Sequence, residues 1–143
     1  MAQARRAKAA RVSAPGTRRR GVTYDEVCEL GLGLSGVEEG LSFGTPALKV
    51  QGRLLVRLKE DGETLVLRVD LQERERLLAA DPRVFYVTDH YLNYPAVLVR
   101  LPAVRRTVMR QLLEYAWRFV APERLVSGAA AAISRGRRPS RRR

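Results

Sequence analysis

The spacing of apolar residues predicts a helix near the start of an organised region that spans residues 22–127. Thr23 is a suitable N-cap, and the helix is expected to run from Tyr24 toward Leu34 because Val27, Leu30 and Leu34 then share one face. A first strand over 37–43 follows, and residues 44–46 (GTP) are expected to form the turn after it. The chain therefore begins its organised region with a helix and then changes to extended structure.

Three further segments alternate between apolar and polar residues, which is the pattern of half-buried antiparallel strands. They cover 47–51, 53–60 and 64–70, and they are joined at Gly52 and through the Asp61-Gly62 hairpin. Alternation assigns Leu54, Val56 and Leu58 to the core side. The other side of this meander carries five cations, which are Lys49, Arg53, Arg57, Lys59 and Arg68.

The remainder of the region predicts a helix, two strands and a final helix. Residues 71–80 form a short helix with paired Glu and Arg, 84–87 and 96–101 form strands, and Pro102 opens a helix that reaches Val120. Apolar spacing places Phe119 on the buried side of that helix and leaves Trp117 at an edge or exposed. The predicted fold is α+β and two-layered, with an antiparallel sheet packed against helices in the order helix, strands, helix, two strands, helix.

Charge divides the chain into three parts. The 143 residues carry a net charge of +12, but residues 22–127 hold fourteen basic and fifteen acidic side chains. Residues 1–21 hold seven Lys or Arg and residues 128–143 hold six, and neither segment contains an acid. Two basic terminal segments, expected to be disordered when free, therefore flank one nearly neutral domain.

Several functional classes are excluded or disfavoured by composition. A single cysteine, Cys28, and a single histidine, His90, cannot provide an intramolecular disulfide or a Cys/His zinc site. No metal is therefore expected, and no cofactor is expected either, since the chain has no glycine-rich phosphate loop of the P-loop or dinucleotide type. Catalysis is not expected either, since His90 lies beside two tyrosines without a convincing nucleophile. The absence of a long apolar run and of a secretory signal predicts a cytoplasmic protein without a membrane span.

Three separated motifs resemble the MmcQ/YjbR family. They are FGTPALKVQG over 43–52, LVLRVD over 65–70 and VTDHYLNYPAVLVRL over 87–101, and the similarity extends over about residues 24–125. The resemblance implies a two-layer α+β domain of the kind described as a double-wing DNA-binding protein, although a similar fold occurs in secretion chaperones that bind proteins. This chain has Arg53 where the family often has Lys, and Tyr94 or Ala96 where many members carry Trp.

The basic residues allow two interpretations. The five cations of the meander, together with His90 and Tyr91, could orient a duplex through its phosphates, or they could form a solvated surface neutralised by nearby acids. The terminal segments could bind DNA or RNA, and Arg135, Arg137 and Arg138 resemble an interrupted AT-hook for the minor groove. We therefore predict a non-catalytic DNA-binding protein with weak sequence specificity. The alternative is a protein- or small-ligand-binding module whose folded domain ignores nucleic acid.

Overall fold

The helices and strands follow the predicted order over residues 21–128, which are the residues that this computed structural model describes. Within this range three α-helices span Tyr24–Gly31 (α1), Leu71–Ala80 (α2) and Arg106–Val120 (α3), and residues 123–128 are also helical. The strands are Val37–Ser42 (β1), Thr45–Val50 (β2), Arg53–Leu58 (β3), Thr64–Arg68 (β4), Phe85–Tyr86 (β5) and Ala96–Arg100 (β6). Short 3-10 turns at Asp89–Tyr91 and Leu101–Ala103 lie on either side of β6.

The strands form one antiparallel sheet in the order β1-β2-β3-β4-β6-β5. Strands β1 to β4 pair as consecutive neighbours, whereas β6 pairs with both β4 and β5. The chain therefore leaves the sheet after β4, forms α2 and the outer strand β5, and returns to place β6 between β4 and β5. This α+β architecture agrees with the prediction.

The N-terminus of α1 is fixed by a reciprocal capping box. The Thr23 hydroxyl accepts a hydrogen bond from the backbone N–H of Glu26 at 3.1 Å, and the Glu26 carboxylate accepts one from the N–H of Thr23 at 2.9 Å. Two backbone donors that have no partner within the helix are thereby satisfied. The predicted start of the helix is confirmed, but the helix ends at Gly31 rather than continuing to Leu34.

The main core lies between the sheet and α3, which packs across β3 and β4 and against α1. Leu65 and Leu67 of β4 and Met109 and Leu113 of α3 are among its most deeply buried side chains. A second, smaller cluster forms on the opposite side of the sheet, where residues 86–96 cover part of β4 and β6; its buried members are Val66, Tyr91, Ala96 and Leu98. The sheet side opposite α1 and α3, called the open face below, is thus only partly exposed.

The buried side of α3 differs from the prediction at its aromatic residues. Trp117 is buried and donates from its indole N–H to the carbonyl of Ser35 at 2.8 Å, whereas Phe119 is 38% exposed. The helix has a second apolar stripe, and that stripe is the one that packs on the sheet: Met109, Leu112, Leu113, Ala116, Trp117 and Val120. The assignment of Phe119 to the core was wrong. The helix also begins at Arg106, because Pro102 lies in a separate 3-10 turn.

Two local irregularities shape the hairpins. The turn between β1 and β2 is Phe43-Gly44 rather than residues 44–46, and both residues have positive φ angles, of 52° and 80°. In the pairing of β2 with β3, Leu48 lies opposite Val56 while Lys49 lies opposite Leu54. Leu55 is consequently the extra residue of a β-bulge, so that Leu55 and its neighbour Val56 both belong to the main core.

Candidate anion-binding cleft

The β-bulge separates two cations that alternation assigns to one face. Arg53 donates from Nη1 to the carbonyl of Val120 at the C-terminus of α3, at 3.2 Å, so its side chain lies on the helix-covered side of the sheet. Arg57, beyond the bulge, lies on the open face. The prediction that all five cations share one sheet surface was therefore wrong for Arg53, because regular alternation does not hold across a bulge.

Arg68 is engaged within the protein. Its Nε donates to the carbonyl of Pro95 at 3.0 Å, and its guanidinium carbon lies 4.9 Å from the ring centroid of Tyr94 and 5.5 Å from that of Phe119. A guanidinium within about 6 Å of aromatic ring centroids is stabilised by cation–π attraction. Arg68 therefore links the loop before β6 to the end of α3.

The two lysines of the predicted surface are less buried than Arg57. Lys49 is half-buried and faces Glu38 across the β1–β2 pair. Lys59 is also half-buried, and its ammonium nitrogen lies 5.9 Å from the centroid of the Tyr91 ring. Lys49 thus lies opposite an acid in the sheet, and Lys59 lies beside an aromatic ring.

Arg57 is a buried cation on a central strand, with only 7% of its surface exposed. It donates from Nη1 to the hydroxyl of Thr45 at 2.9 Å and from Nη2 to the hydroxyl of Tyr91 at 3.1 Å. Its guanidinium carbon lies 5.4 Å from the centroid of the Phe43 ring. The acid beside it is Glu60, at 3.6 Å from Nη1, with 69% of its side chain exposed. The charge of Arg57 is therefore balanced by a carboxylate that is itself largely in water.

Glu60 remains ionised at neutral pH. A hydrogen bond from its own backbone N–H holds the pKa of the Glu60 carboxyl below its ordinary value, and the nearby positive charge of Arg57 lowers it further. Its negative charge therefore lies permanently at the rim beside Arg57.

A cleft of about 470 Å³ opens beside Arg57 on the open face. Apolar and aromatic side chains form most of its walls: Phe43, Leu54, Val66, Tyr91 and Tyr94. The polar groups that line it are Arg57, Glu60 and His90. The ring of Phe43 is 88% exposed at the hairpin turn and stands at the mouth of this cleft. The cleft thus combines a single buried cation with a largely apolar lining.

The loop that carries the tyrosines is held by a second buried arginine, Arg74 of α2. Its guanidinium donates to four backbone carbonyl groups, at distances of 2.8–3.2 Å: those of Tyr91, Leu92, Tyr94 and Ala96. Sequence reasoning treated this arginine as one of the paired charges of a surface helix. A pattern of alternating Glu and Arg gives no sign that one guanidinium turns inward to bind a loop about twenty residues away.

His90 lies at the exposed edge of the cleft and stacks edge-on against Tyr91, with ring centroids 4.7 Å apart.

Among residues 21–128 no cluster of His, Cys, Asp or Glu could hold a metal ion. Within the same range no helix is long and apolar enough to cross a membrane. Arg135, Arg137 and Arg138 lie outside the described residues.

Cys28 is packed against the main core as a small side chain. Burial raises the pKa of its thiol, so the protonated form dominates at neutral pH. Burial, followed by the influence of Cys28, also raises the pKa of the Tyr24 hydroxyl far above its ordinary value. Neither group is poised to act as a nucleophile.

Comparison with solved structures finds a similar fold in the Deinococcus radiodurans protein DR2400, whose crystal structure is described as a DUF419 domain. The match has a TM-score of 0.57 and 25% sequence identity, and it covers 71% of this chain and 78% of that chain. The similarity is consistent with the sheet order and helix placement described above.

Curated relatives include the uncharacterised proteins Mb2600 of Mycobacterium bovis and Rv2570 of Mycobacterium tuberculosis. Each is 33% identical over 95 residues, covering 64% of this chain and 74% of the relative. The family model described as YjbR matches residues 32–119, which includes β1 to β6, the cleft and nearly all of α3. The chain therefore belongs to the YjbR family.

Proposed function

We propose that the protein binds DNA without catalysis, mainly through phosphate contacts, and that its two terminal segments supply most of the affinity. The observation that carries this proposal is the separation of charge: thirteen cations and no acid in the terminal segments, against a slightly acidic domain. Such segments bind polyanions by releasing condensed counterions, with little dependence on sequence. Arg135, Arg137 and Arg138 would enter the narrow minor groove in this arrangement.

The domain contributes less to the affinity than its formal charges suggest. Arg57 is buried, and Arg68 is engaged by Pro95 and two aromatic rings. The more available cations of the original set are therefore Lys49 and Lys59 on the open face and the exposed Arg53 on the other side of the sheet. The exposed His90 would contact the duplex at the edge of the cleft, and the buried Tyr91 would support the imidazole ring from below. Weak sequence specificity follows, because phosphate contacts carry no direct sequence information.

The test measures binding of the full chain to duplex DNA, and to RNA for comparison, over a range of salt concentrations. In one variant all thirteen terminal cations are replaced by glutamine; in the control Lys49→Gln, Arg53→Gln and Lys59→Gln are combined. We expect the first variant to bind weakly, with the slope of log K against log salt reduced by about 0.9 for each phosphate that is no longer neutralised. The control should change both quantities much less. Unchanged affinity and slope after neutralising the terminal segments would refute the proposal.

A second candidate function, binding of a small ligand by the domain, is favoured by one specific observation. Arg57 is buried beside an open, mainly apolar cleft, and within residues 21–128 its one ion-pair partner is the exposed carboxylate of Glu60. An arginine whose role is only to keep a surface soluble would lie in water. A charged group placed in a mainly apolar cleft is instead typical of a small-ligand site.

A further inference from the structure

The burial of Arg57 is incompletely compensated within the described part of the chain. Removing a guanidinium from water is costly unless charge and hydrogen bonds replace the solvent that it leaves. Glu60 is 3.6 Å away, beyond direct hydrogen-bond distance, and most of its side chain is in water. A screened, exposed pair of this kind contributes little. Arg57 therefore has capacity for a second anion at closer range.

The hydrogen-bond donors of Arg57 indicate what that anion looks like. A guanidinium carries five N–H groups. Thr45 and Tyr91 each accept one, and Glu60 lies beside Nη1. Among the described residues Nε has no hydrogen-bond partner, and neither does the second N–H of Nη2. Two adjacent nitrogens with free donors match the two oxygens of a carboxylate.

The position of Glu60 limits the negative charge that a ligand can carry. Its carboxylate lines the cleft beside Arg57, whereas the cations Lys59 and Arg68 lie outside the lining, near the rings of Tyr91 and Tyr94. A phosphate dianion would meet the Glu60 carboxylate at the rim and would find fewer free donors than it has oxygens. A monocarboxylate brings less negative charge to Glu60 than a phosphate dianion does, and its two oxygens match the two free donors.

The walls of the cleft indicate the rest of the ligand. Its volume of about 470 Å³ lies within the roughly 300–1,000 Å³ typical of small-molecule sites. Phe43 is 88% exposed, and Tyr94 faces the same space with 37% exposure. A flat apolar body lying between these rings would remove their surface from water and could stack on them.

We propose that the cleft binds an aromatic or flat apolar monocarboxylate, with the carboxylate accepting hydrogen bonds from Arg57 and the body lying between Phe43 and Tyr94. The same chemistry could be presented by a free small acid or by the carboxyl end of a peptide that terminates in an aromatic residue. The site does not involve the terminal segments, so it does not need DNA binding; it rests on the second candidate function, ligand binding by the domain.

The experiment compares three probes of one shape, 2-naphthoate, 2-naphthylmethanol and 2-naphthyl phosphate, on the unaltered full chain by calorimetry and by NMR of the Tyr91 and Tyr94 rings. We expect naphthoate to bind and to shift both rings, and the neutral alcohol to bind roughly 10- to 100-fold more weakly because it lacks charge-assisted hydrogen bonds. The phosphate should also bind more weakly. Failure of naphthoate to bind, or equal or tighter binding of either other probe, would overturn the proposal.

A pair of variants locates the site. Arg57→Gln should reduce naphthoate affinity to that of the alcohol, whereas Arg83→Gln, which removes an exposed arginine outside the cleft, should leave it unchanged. A folded Arg57→Gln protein that binds naphthoate normally contradicts the assignment. If this variant does not fold, the probe comparison and the ring shifts on the unaltered chain still test the proposal.

Peptides that end in phenylalanine, with free or amidated carboxyl groups, distinguish a free small acid from the carboxyl end of a peptide. Tighter binding of the free-acid peptide than of naphthoate identifies a chain end.

Discussion

Arg74 of α2 donates a hydrogen bond to the backbone carbonyl of Tyr91 at 3.0 Å, so a buried guanidinium outside the cleft fixes the position of a residue inside it. The hydroxyl of the same tyrosine accepts a hydrogen bond from Arg57 at 3.1 Å. The two arginines thus hold Tyr91 from its backbone and from its ring end. The cleft depends on α2 even though no residue of that helix lines it.

Replacement of Arg74 should destabilise the domain strongly. Arg74→Met leaves several carbonyl oxygens of the loop before β6 without their donor, and we expect a loss of about 2–4 kcal/mol in the free energy of unfolding. Urea denaturation followed by circular dichroism measures this loss. Arg76→Met is the matched control, because Arg76 is exposed on the same helix and pairs with Glu73 at the surface. The control should lose less than about 1 kcal/mol, and equal losses would contradict the role assigned to Arg74.

The α1 capping box predicts a smaller effect. Thr23→Ala removes the hydroxyl that accepts from the N–H of Glu26, and should lower the free energy of unfolding by about 1 kcal/mol. Thr88 offers a control, since it precedes a 3-10 turn but makes no capping hydrogen bond through its side chain. Thr88→Ala should therefore have almost no effect. Similar losses for the two variants would show that the threonine methyl, not the cap, matters.

Acid pH should weaken the β3–β4 hairpin through Asp61. Its carboxylate accepts hydrogen bonds from the backbone N–H groups of Glu63 and Thr64 and from the Thr64 hydroxyl, and the first of these is the main cause of a lowered Asp61 pKa. Because the folded-state pKa lies below the unfolded value of about 3.9, this stabilisation is complete above that pH and is lost as pH falls through the folded-state pKa.

Unfolding measured from neutral to acid pH on Asp61→Asn tests this linkage. The difference from the unaltered protein should be below about 1 kcal/mol, since Asp61 is exposed, and it should shrink as the pH falls. Asp89→Asn is the control, because the Asp89 carboxylate accepts no hydrogen bond within the described residues. A difference for Asp61→Asn that stays constant with pH would argue against the proposed cause.

Alkaline pH should act through Tyr115 with the opposite sign. The Tyr115 hydroxyl donates to the Asp70 carboxylate at 2.8 Å, and this hydrogen bond is the main cause of a raised Tyr115 pKa. The stabilisation is therefore complete below the unfolded pKa of about 10 and is lost as pH rises through the folded-state value. Because Tyr115 is 37% exposed, Tyr115→Phe should cost less than about 1 kcal/mol at pH 7, and the cost should fall at higher pH. Chemical denaturation at several alkaline pH values measures it; a cost that grows with pH would contradict this assignment.

The order of elements could be predicted because strand alternation and helix capping are local signals. Thr23 and the Asp61-Gly62 hairpin are examples, since each acts on backbone groups within three residues. The choice between Trp117 and Phe119 could not be predicted in the same way. Both fit an apolar stripe on α3, and only the position of Ser35, far away in the chain, gives the indole N–H its acceptor.

The candidate site could likewise be predicted only in part. His90, Tyr91 and Arg57 can be singled out from the sequence, and the structure brings them together at one cleft. Arg74 cannot be singled out from the sequence. Its four acceptors are backbone carbonyls, which every residue type has, so the sequence does not show which residues will accept from it. Arg53 was assigned to the wrong face because the alternation of β3 is interrupted where the strand meets β2.

That interruption also determines how the chain tolerates changes in length. Leu55 has no pairing partner, so deleting it would leave every other residue of β3 in its present register and on its present face. Deletion of a residue in the regular part of the strand would instead move the side chains on one side of the deletion to the opposite face of the sheet. In a related chain without this extra residue, the cations equivalent to Arg53 and Arg57 would stand three positions apart rather than four and still face opposite sides of the sheet. The spacing of these two arginines therefore does not determine by itself which of them reaches the cleft; the spacing and the presence or absence of the bulge determine it together.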